Sequence, residues 1–303
     1  MGKTQSAIIK RAAALGIEVR FDEAMSLHTS FRIGGPADLF FLPKDVEELA
    51  RALRFCRGEE LQYILLGNGS NLLVSDGGFR GAVISTTRYL GGISCEGTEL
   101  AAGAGAPLNL LAHRARKESL TGLEFSYGIP ASVGGAVFMN AGAYGGEMKD
   151  VVSEVSYLDP EADFALQTIS ADQADFSYRH SLFHENGGVI VGARFSLSRG
   201  DPEQIRAVME ETMAKRKAKQ PLEFPSAGST FKRPEGAYAA ALIDRCGLKG
   251  LRVGGAMVSE KHAGFLINAG GATAEDVLRL AEMVRETVLR ETGYVLEMEV
   301  RRI

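Results

Sequence analysis

Cysteine is scarce. Three residues, Cys56, Cys95 and Cys246, are scattered over a chain of 303. None forms a CxxC pair, and none joins a histidine at zinc-ligand spacing. Neither a disulfide framework nor a metal site is indicated, and a reducing, cytoplasmic compartment fits best. A strong excess of one charge is also missing: the net charge is −4 and the sequence pI 5.8. With no basic face interleaved with aromatics, nucleic acid is not an expected partner. No window approaches the roughly 20 apolar residues of a bilayer span, so no membrane association is expected either. The N-terminal stretch carries Ile8, Ile9, Ala12, Ala13 and Leu15 at helical spacing. It reads as a short helix, not a signal peptide, because no apolar core leads to a cleavage site. Two nucleotide signatures are absent as well. There is no GK[ST] of a Walker A loop, and no GxGxxG opening a helix. Internal repeats and low-complexity segments are not found.

What is present is a chain with 45% hydrophobic residues, enough for two or three subdomains. A division into 1–78, 79–200 and 201–303 is expected, with Pro221 and Pro225 breaking the chain early in the last part. Ala37–Leu42 and Tyr63–Leu66 read as strands. The helix between them starts at Asp45, with Glu48 as its capping-box partner and Val46, Leu49, Ala50, Leu53 and Cys56 on one face. This strand–helix–strand unit is expected to be parallel and right-handed. Short β-like runs over 81–102 predict a second small sheet, which strands 151–158 and 189–197 would close. Residues 108–117 form an amphipathic helix. Asp201 and Pro202 begin another, whose basic end suits the helix dipole. Thr273 opens a third. The terminal stretch 294–303 alternates, with Val295, Glu297, Glu299 and Arg301 on one face and Leu296, Met298 and Val300 on the other.

Two glycine-rich stretches carry the functional reading. One is Ser126–Gly146, SYGIPASVGGAVFMNAGAYGG. Glycine loses the most backbone freedom on folding, so such a run is kept where side chains would obstruct. Close approach of the backbone to a ligand, with its N–H groups turned inward, is one reason; a tightly packed bend is the other. The second stretch, Gly67-Asn68-Gly69-Ser70-Asn71, follows a strand directly. It forms either a concave anion site or a plain hairpin turn.

Three polar residues stand out. Ser229 lies in a small-residue turn with no nucleophile elbow and no base spaced to activate it, which suits a proton donor better than a nucleophile. Arg179, between Tyr178 and His180, is able to pair with a carboxylate in bidentate fashion. Glu299, on the last strand, is a carboxylate that burial would perturb. Each alone is also an ordinary surface or turn residue. Lys219, Lys232 and Arg233 flank the Ser229 turn and suit a polyanionic ligand.

Read together, six collinear motifs resemble the UDP-N-acetylenolpyruvoylglucosamine reductase (MurB) family of flavoenzymes. They are HTSFRIGGPAD (28–38), LGNGSNLLVSD (66–76), GIPASVGGAVFMNAGAYGGE (128–147), SYRHSLF (177–183), SAGSTFKRP (226–234) and LEMEVR (296–301). The resemblance implies an α+β protein built of α/β subdomains. A two-subdomain FAD-binding module of the vanillyl-alcohol-oxidase (PCMH) type would precede a C-terminal α/β substrate-binding domain. It implies FAD and NADPH as cofactors, and reduction of UDP-N-acetylglucosamine enolpyruvate to UDP-N-acetylmuramate in peptidoglycan precursor synthesis. Hydride would come from flavin N5 and the proton from Ser229, while Arg179 and Glu299 hold the carboxylate and the developing enolate. Gly67, Asn68, Gly69, Ser70, Asn71, Tyr127, Gly128, Ile129, Pro130, Ser132, Gly134, Gly135, Asn140 and Gly142 would contact FAD. Tyr144, Tyr178, Lys219, Lys232, Arg233 and His262 would contact substrate. A cytoplasmic monomer is expected, with a small-molecule substrate and no metal. The strand 189–197 runs straight into the Asp201 helix, leaving no room for the substrate-covering tyrosine insertion of some members. A different FAD oxidoreductase acting on a sugar or alcohol, and a silent nucleotide-sugar-binding module, are the alternatives.

Overall fold

The computed structural model describes residues 3–303, with side chains from residue 7 onward. The chain divides into two compact units. The first comprises residues up to Phe21, Asp38–Asn68 and Gly81–Ala214; the second comprises Asp22–Ala37, Gly69–Arg80 and Lys215–Ile303.

The first unit has two cores. One lies on a four-stranded sheet ordered Glu18–Ala24, Pro36–Leu42, Phe79–Ser85, Tyr63–Leu66. Leu39 to Leu42 are all buried, the continuous apolar run of a strand covered on both sides. The helix Val46–Gly58 packs there through Leu49, Ala50, Leu53 and Cys56. Burying each leucine contributes about 1.5–3 kcal/mol. Asp45 caps it by accepting the Glu48 N–H at 2.7 Å. The Glu48 carboxylate takes the N–H of Lys44, so the expected reciprocal box closes one residue early. The run 79–85 differs from expectation. It joins this first sheet, parallel to Tyr63–Leu66, and so separates the two strands of the strand–helix–strand unit.

The second core lies on a five-stranded antiparallel sheet ordered Ala165–Ser170, Val152–Asp159, Val189–Ser196, Glu99–Gly103, Ile93–Glu96. The helix Leu108–Lys117 buries Leu108, Leu111, Ala112 and Ala115 against it, as its periodicity predicts. The short helix Val133–Phe138 adds Val133, Ala136 and Val137. Ile205 and Met209 of the helix Pro202–Lys219 complete this core, while Val208 stays exposed.

In the second unit the helix Ala274–Thr292 buries Val277, Leu280, Ala281, Val284 and Val288. Thr273 and Asp276 form a complete capping box at its start. The Asp76 carboxylate also accepts the N–H groups of Ala274 (2.8 Å) and Glu275 (3.1 Å), a favourable charge for a helix N-terminus. A three-stranded antiparallel sheet, Arg252–Val253, Ala256–Val258 and Leu266–Asn268, packs beside it. The terminal stretch keeps its alternation, with Leu296 and Val300 buried. It does not form one strand, because it changes partners: Met298 bridges Phe231, while Arg301–Arg302 pairs in parallel with Leu72–Leu73.

Candidate functional site

Gly67 and Asn68 meet the Ser126–Gly146 stretch within the first unit. A Cβ on Gly67 would lie 2.2 Å from Ser132 Oγ, so a side chain there would have to displace the Ser132 hydroxyl. The Asn68 amide donates to the Pro130 carbonyl at 3.4 Å. Ser132 is buried and caps the short helix by accepting the Gly135 N–H at 3.3 Å. The N–H groups of Val133 and Gly134 donate to the carbonyls of Ala106 and Ala104 at 2.8 Å each. The backbone donors of this helix start are therefore largely spent within the protein. Packing explains Gly134, whose Cβ would stand 2.8 Å from that of Ala104.

Unspent donors lie elsewhere. Among the described residues, none accepts a hydrogen bond from the backbone N–H of Asn68, Gly69, Ser70 or Asn71. Gly69 has φ +59° and leaves no room for a side chain, since a Cβ would sit 2.2 Å from the His28 carbonyl oxygen. On the other stretch Tyr127 sets its ring edge-on to His113 at 4.9 Å, and Ile129 packs on the second core.

Two tight turns of the first unit carry aromatic and cationic side chains. In one, Ala143 pairs with Gly146, leaving Tyr144 and Gly145 as its two central residues. Both have positive φ, +53° and +90°, as a primed hairpin turn requires. A tyrosine in that conformation is uncommon. Gly142 is this hairpin's strand residue opposite Glu147, held there by packing. In the other turn, Ser177 and His180 exchange backbone hydrogen bonds at 3.2 Å each, around Tyr178 and Arg179. Arg179 has φ +58°, and its guanidinium stands 5.2 Å from the centre of the Tyr178 ring. Tyr144 and Tyr178 are 49% and 54% exposed, so both rings face outward from well-packed bases.

Asn140 ties these turns together. It is fully buried, and all its amide positions are used. Its Nδ2 donates to Glu147 Oε2 at 2.8 Å and to the Ser177 carbonyl at 3.0 Å, while Oδ1 accepts the Lys149 N–H at 2.9 Å. Ser181 adds a bond from its hydroxyl to the Phe138 carbonyl at 2.7 Å. Sequence reading places Asn140 among cofactor contacts and passes over Ser181. The available signal was an asparagine inside an otherwise apolar run, the residue type that best tolerates the left-handed region after glycine.

Ser229 and Glu299 belong to the second unit, whereas Arg179 belongs to the first. Ser229 is exposed between buried Ala227 and buried Thr230. Gly228 turns the chain there with φ +76°. The Thr230 carbonyl accepts the Glu299 N–H at 2.8 Å, and the Lys232 N–H donates to the Glu297 carbonyl at 2.8 Å. Thr230 Oγ1 also accepts the Leu266 N–H at 3.1 Å. This strand pairing fixes Glu299 beside the residue that follows Ser229. Thr230 thus anchors both candidates, a role not visible from its residue type. Among the described residues Ser229 Oγ has no hydrogen-bond partner, in keeping with a hydroxyl that meets an outside group.

The basic residues of this unit are partly engaged. Lys232 pairs with Glu297, and the Arg233 guanidinium lies 4.0 Å over the Tyr238 ring. Lys219 is exposed at the end of its helix. His262 accepts the Gly264 N–H on Nδ1 at 3.2 Å, which leaves Nε2 as the protonated nitrogen of its neutral ring. Burial holds its pKa below the ordinary value, and Lys249 and Lys219 add to that.

Comparison with known proteins places this geometry. Residues 37–164 match the FAD binding domain family. Residues 220–303 match the family of UDP-N-acetylenolpyruvoylglucosamine reductase C-terminal domains. A UDP-N-acetylenolpyruvoylglucosamine reductase of Clostridium novyi is 47% identical over 94% of this chain and 92% of its own. One of Agathobacter rectalis is 49% identical over 93% of each. The crystal structure of UDP-N-acetylenolpyruvylglucosamine reductase (MurB) from Thermus caldophilus is 39% identical and aligns with a TM-score of 0.78, covering 94% of this chain and 98% of that one. The fold is therefore α+β, an FAD-binding module of the vanillyl-alcohol-oxidase (PCMH) type followed by this C-terminal domain. The donor set fits FAD. The unspent N–H groups from Asn68 to Asn71 suit an anionic diphosphate, and glycines keep the adjoining surface bare. Among the described residues no helix is long and apolar enough to cross a membrane.

Proposed function

The chain belongs to the UDP-N-acetylenolpyruvoylglucosamine reductase family, and on that premise we propose how its residues divide the work. It is an FAD-dependent oxidoreductase that uses NADPH to reduce UDP-N-acetylglucosamine enolpyruvate to UDP-N-acetylmuramate, a step of peptidoglycan precursor synthesis. FAD held by these residues would supply the hydride chemistry that links NADPH to the enolpyruvyl group.

The protein's own part is positioning and proton transfer. Hydride addition conjugate to a carboxylate builds enolate charge, which fixed donors stabilise. Arg179 offers a two-pronged cation to that carboxylate, and its tight turn restricts where the guanidinium reaches. The Ser229 hydroxyl donates its proton to the carbon adjacent to the carboxylate. Glu299 works beside it on the enolate. The observation that carries this assignment is the exposed, unpartnered Ser229 hydroxyl, on a turn whose next residue is strand-paired to Glu299.

Gly67, Asn68, Gly69, Ser70 and Asn71 hold the FAD diphosphate with backbone donors. Tyr127, Gly128, Ile129, Pro130, Ser132, Gly134, Gly135 and Gly142 form the bare surface against the cofactor. Asn140 serves by holding that surface to the Arg179 turn. Tyr144 and Tyr178 meet the substrate, while Lys219, Lys232, Arg233 and His262 take its nucleotide diphosphate. Lys232 exchanges Glu297 for phosphate when it does so. In this reading the cofactor module occupies 1–78 and 79–200 and the substrate domain 201–303, with the strand Phe79–Ser85 contributing to the sheet of the first. The enzyme works as a cytoplasmic monomer without nucleic acid.

Incubation of the yellow holoprotein with NADPH and UDP-N-acetylglucosamine enolpyruvate tests the reading. Accumulation of UDP-N-acetylmuramate with matching NADPH loss supports it. NADPH consumption with unchanged enolpyruvate removes the substrate assignment.

A further inference from the structure

Asp175, His180 and Glu185 gather their donor atoms within 4.8 Å of one another, around the turn that carries Tyr178 and Arg179. His180 Nε2 faces Asp175 Oδ2 at 3.8 Å and Glu185 Oε1 at 3.6 Å. Both gaps are too long for a hydrogen bond. They are close to the roughly 3.3–3.4 Å that separates two ligand atoms each about 2.0–2.1 Å from a tetrahedral zinc.

The backbone holds the three in place. Leu182 N–H donates to the Ala174 carbonyl at 2.8 Å and closes the loop at its base. Ser177 and His180 close it again higher up. Asp175 occupies the left-handed region, φ +46°, and so redirects the chain at the loop entrance. Glu185 sits on the single-turn helix Phe183–Asn186 that follows the loop. The imidazole is also held. His180 stacks on His184 at 5.2 Å, and His184 stacks on Phe138 at 3.9 Å. The two carboxylates are 72% and 67% exposed and the imidazole 29%, so a cation enters freely from solvent.

We propose that Asp175, His180 and Glu185 form a binding site for a first-row divalent cation of the zinc type, which staples the base of the turn carrying Tyr178 and Arg179. One imidazole with two carboxylates favours zinc, cobalt or nickel over magnesium and calcium, which prefer all-oxygen sets. Three protein ligands leave a fourth position for water. The cation would join Asp175, before the turn, to Glu185, after it. It would thereby restrict the backbone that presents Arg179. The cation needs neither the cofactor nor the substrate assigned above in order to bind.

The test uses the untagged holoprotein with cobalt(II), then zinc(II), as probes. One equivalent of cobalt per chain, with visible ligand-field absorption that zinc displaces, is the expected result. D175N/E185Q changes only exposed side chains and leaves the loop's backbone bonds in place. It should lose more than the about 10–100-fold in affinity that removing a mere outer-shell partner costs. The thermal midpoint should rise with zinc in the parent protein and not in that variant. H180Q should weaken binding likewise. Absence of stoichiometric binding overturns the proposal, and so does equal affinity in parent and D175N/E185Q. In either case His180 is simply a histidine flanked by two acids.

Discussion

The Asn140 side chain donates a hydrogen bond to the Ser177 carbonyl at 3.0 Å, joining the glycine-rich run to the turn that carries Arg179. Asn140 is fully buried and also serves Glu147 and Lys149. Replacing it with alanine removes all three bonds: the Ser177 carbonyl keeps the His180 N–H and Glu147 keeps Lys149, but the Lys149 N–H loses its acceptor. A donor left without an acceptor away from water costs about 1–3 kcal/mol before relaxation. Alanine also suits φ +39° poorly. Asn140→Ala should therefore unfold at lower denaturant. Where it remains folded, it should lose turnover more than FAD content. Equal loss of both would make Asn140 a general core residue instead of a link to the Arg179 turn.

Two glycines separate packing from ligand contact. Gly69→Ala places a methyl 2.2 Å from the His28 carbonyl oxygen at φ +59°. It should destabilise the protein by about 1 kcal/mol or more. Gly135→Ala meets only Ser132 Oγ, at 3.5 Å, and lies inside the short helix. Alanine is favoured there by about 0.5–1 kcal/mol. Its apoprotein should be as stable as the parent or more so, while FAD dissociates more readily. Unchanged FAD affinity in Gly135→Ala would remove that residue from the cofactor surface.

His262 gives a pH prediction. Burial, then Lys249 and Lys219, disfavour its protonated form in the folded protein. The unfolded chain takes that proton near the ordinary value of 6.5. The unfolded state therefore binds more protons below that point, and stability must fall there. The contribution is complete above pH 6.5 and is lost as pH drops through the window between 6.5 and the depressed folded value. Denaturant titrations across that window should show a shallower slope for His262→Gln than for the parent. Identical slopes would assign the acid sensitivity to other groups.

Much of the framework was legible because it rests on local signals. The helix Leu108–Lys117 follows directly from its periodicity, and Thr273 with Asp276 marks a helix start by side-chain chemistry. The alternation of Leu296, Met298 and Val300 survives as burial even though the stretch is not one strand. Strand partners were not legible. Nothing in Phe79–Ser85 itself distinguishes pairing with Tyr63–Leu66 from membership of the second sheet. The helix Val133–Phe138 forms despite Gly134 and Gly135, because close packing on Ala104 outweighs their low propensity.

At the candidate site, residue types singled out the two glycine stretches and the Ser229 turn for a functional reading. They did not reveal which N–H groups remain unspent, since that depends on Ala104 and Ala106 accepting from Gly134 and Val133. The Tyr144 hairpin was equally hidden, because tyrosine at positive φ is not a turn signal.

The most direct test separates the two half-reactions in anaerobic stopped-flow, comparing the parent with Ser229→Ala. NADPH should bleach the flavin at closely similar rates in both. Adding UDP-N-acetylglucosamine enolpyruvate should restore the colour promptly in the parent. In Ser229→Ala that second phase should slow by about 10²–10⁴-fold, the range a positioned proton donor supplies. Equal slowing of both phases, or a normal second phase in the variant, would contradict the role of Ser229.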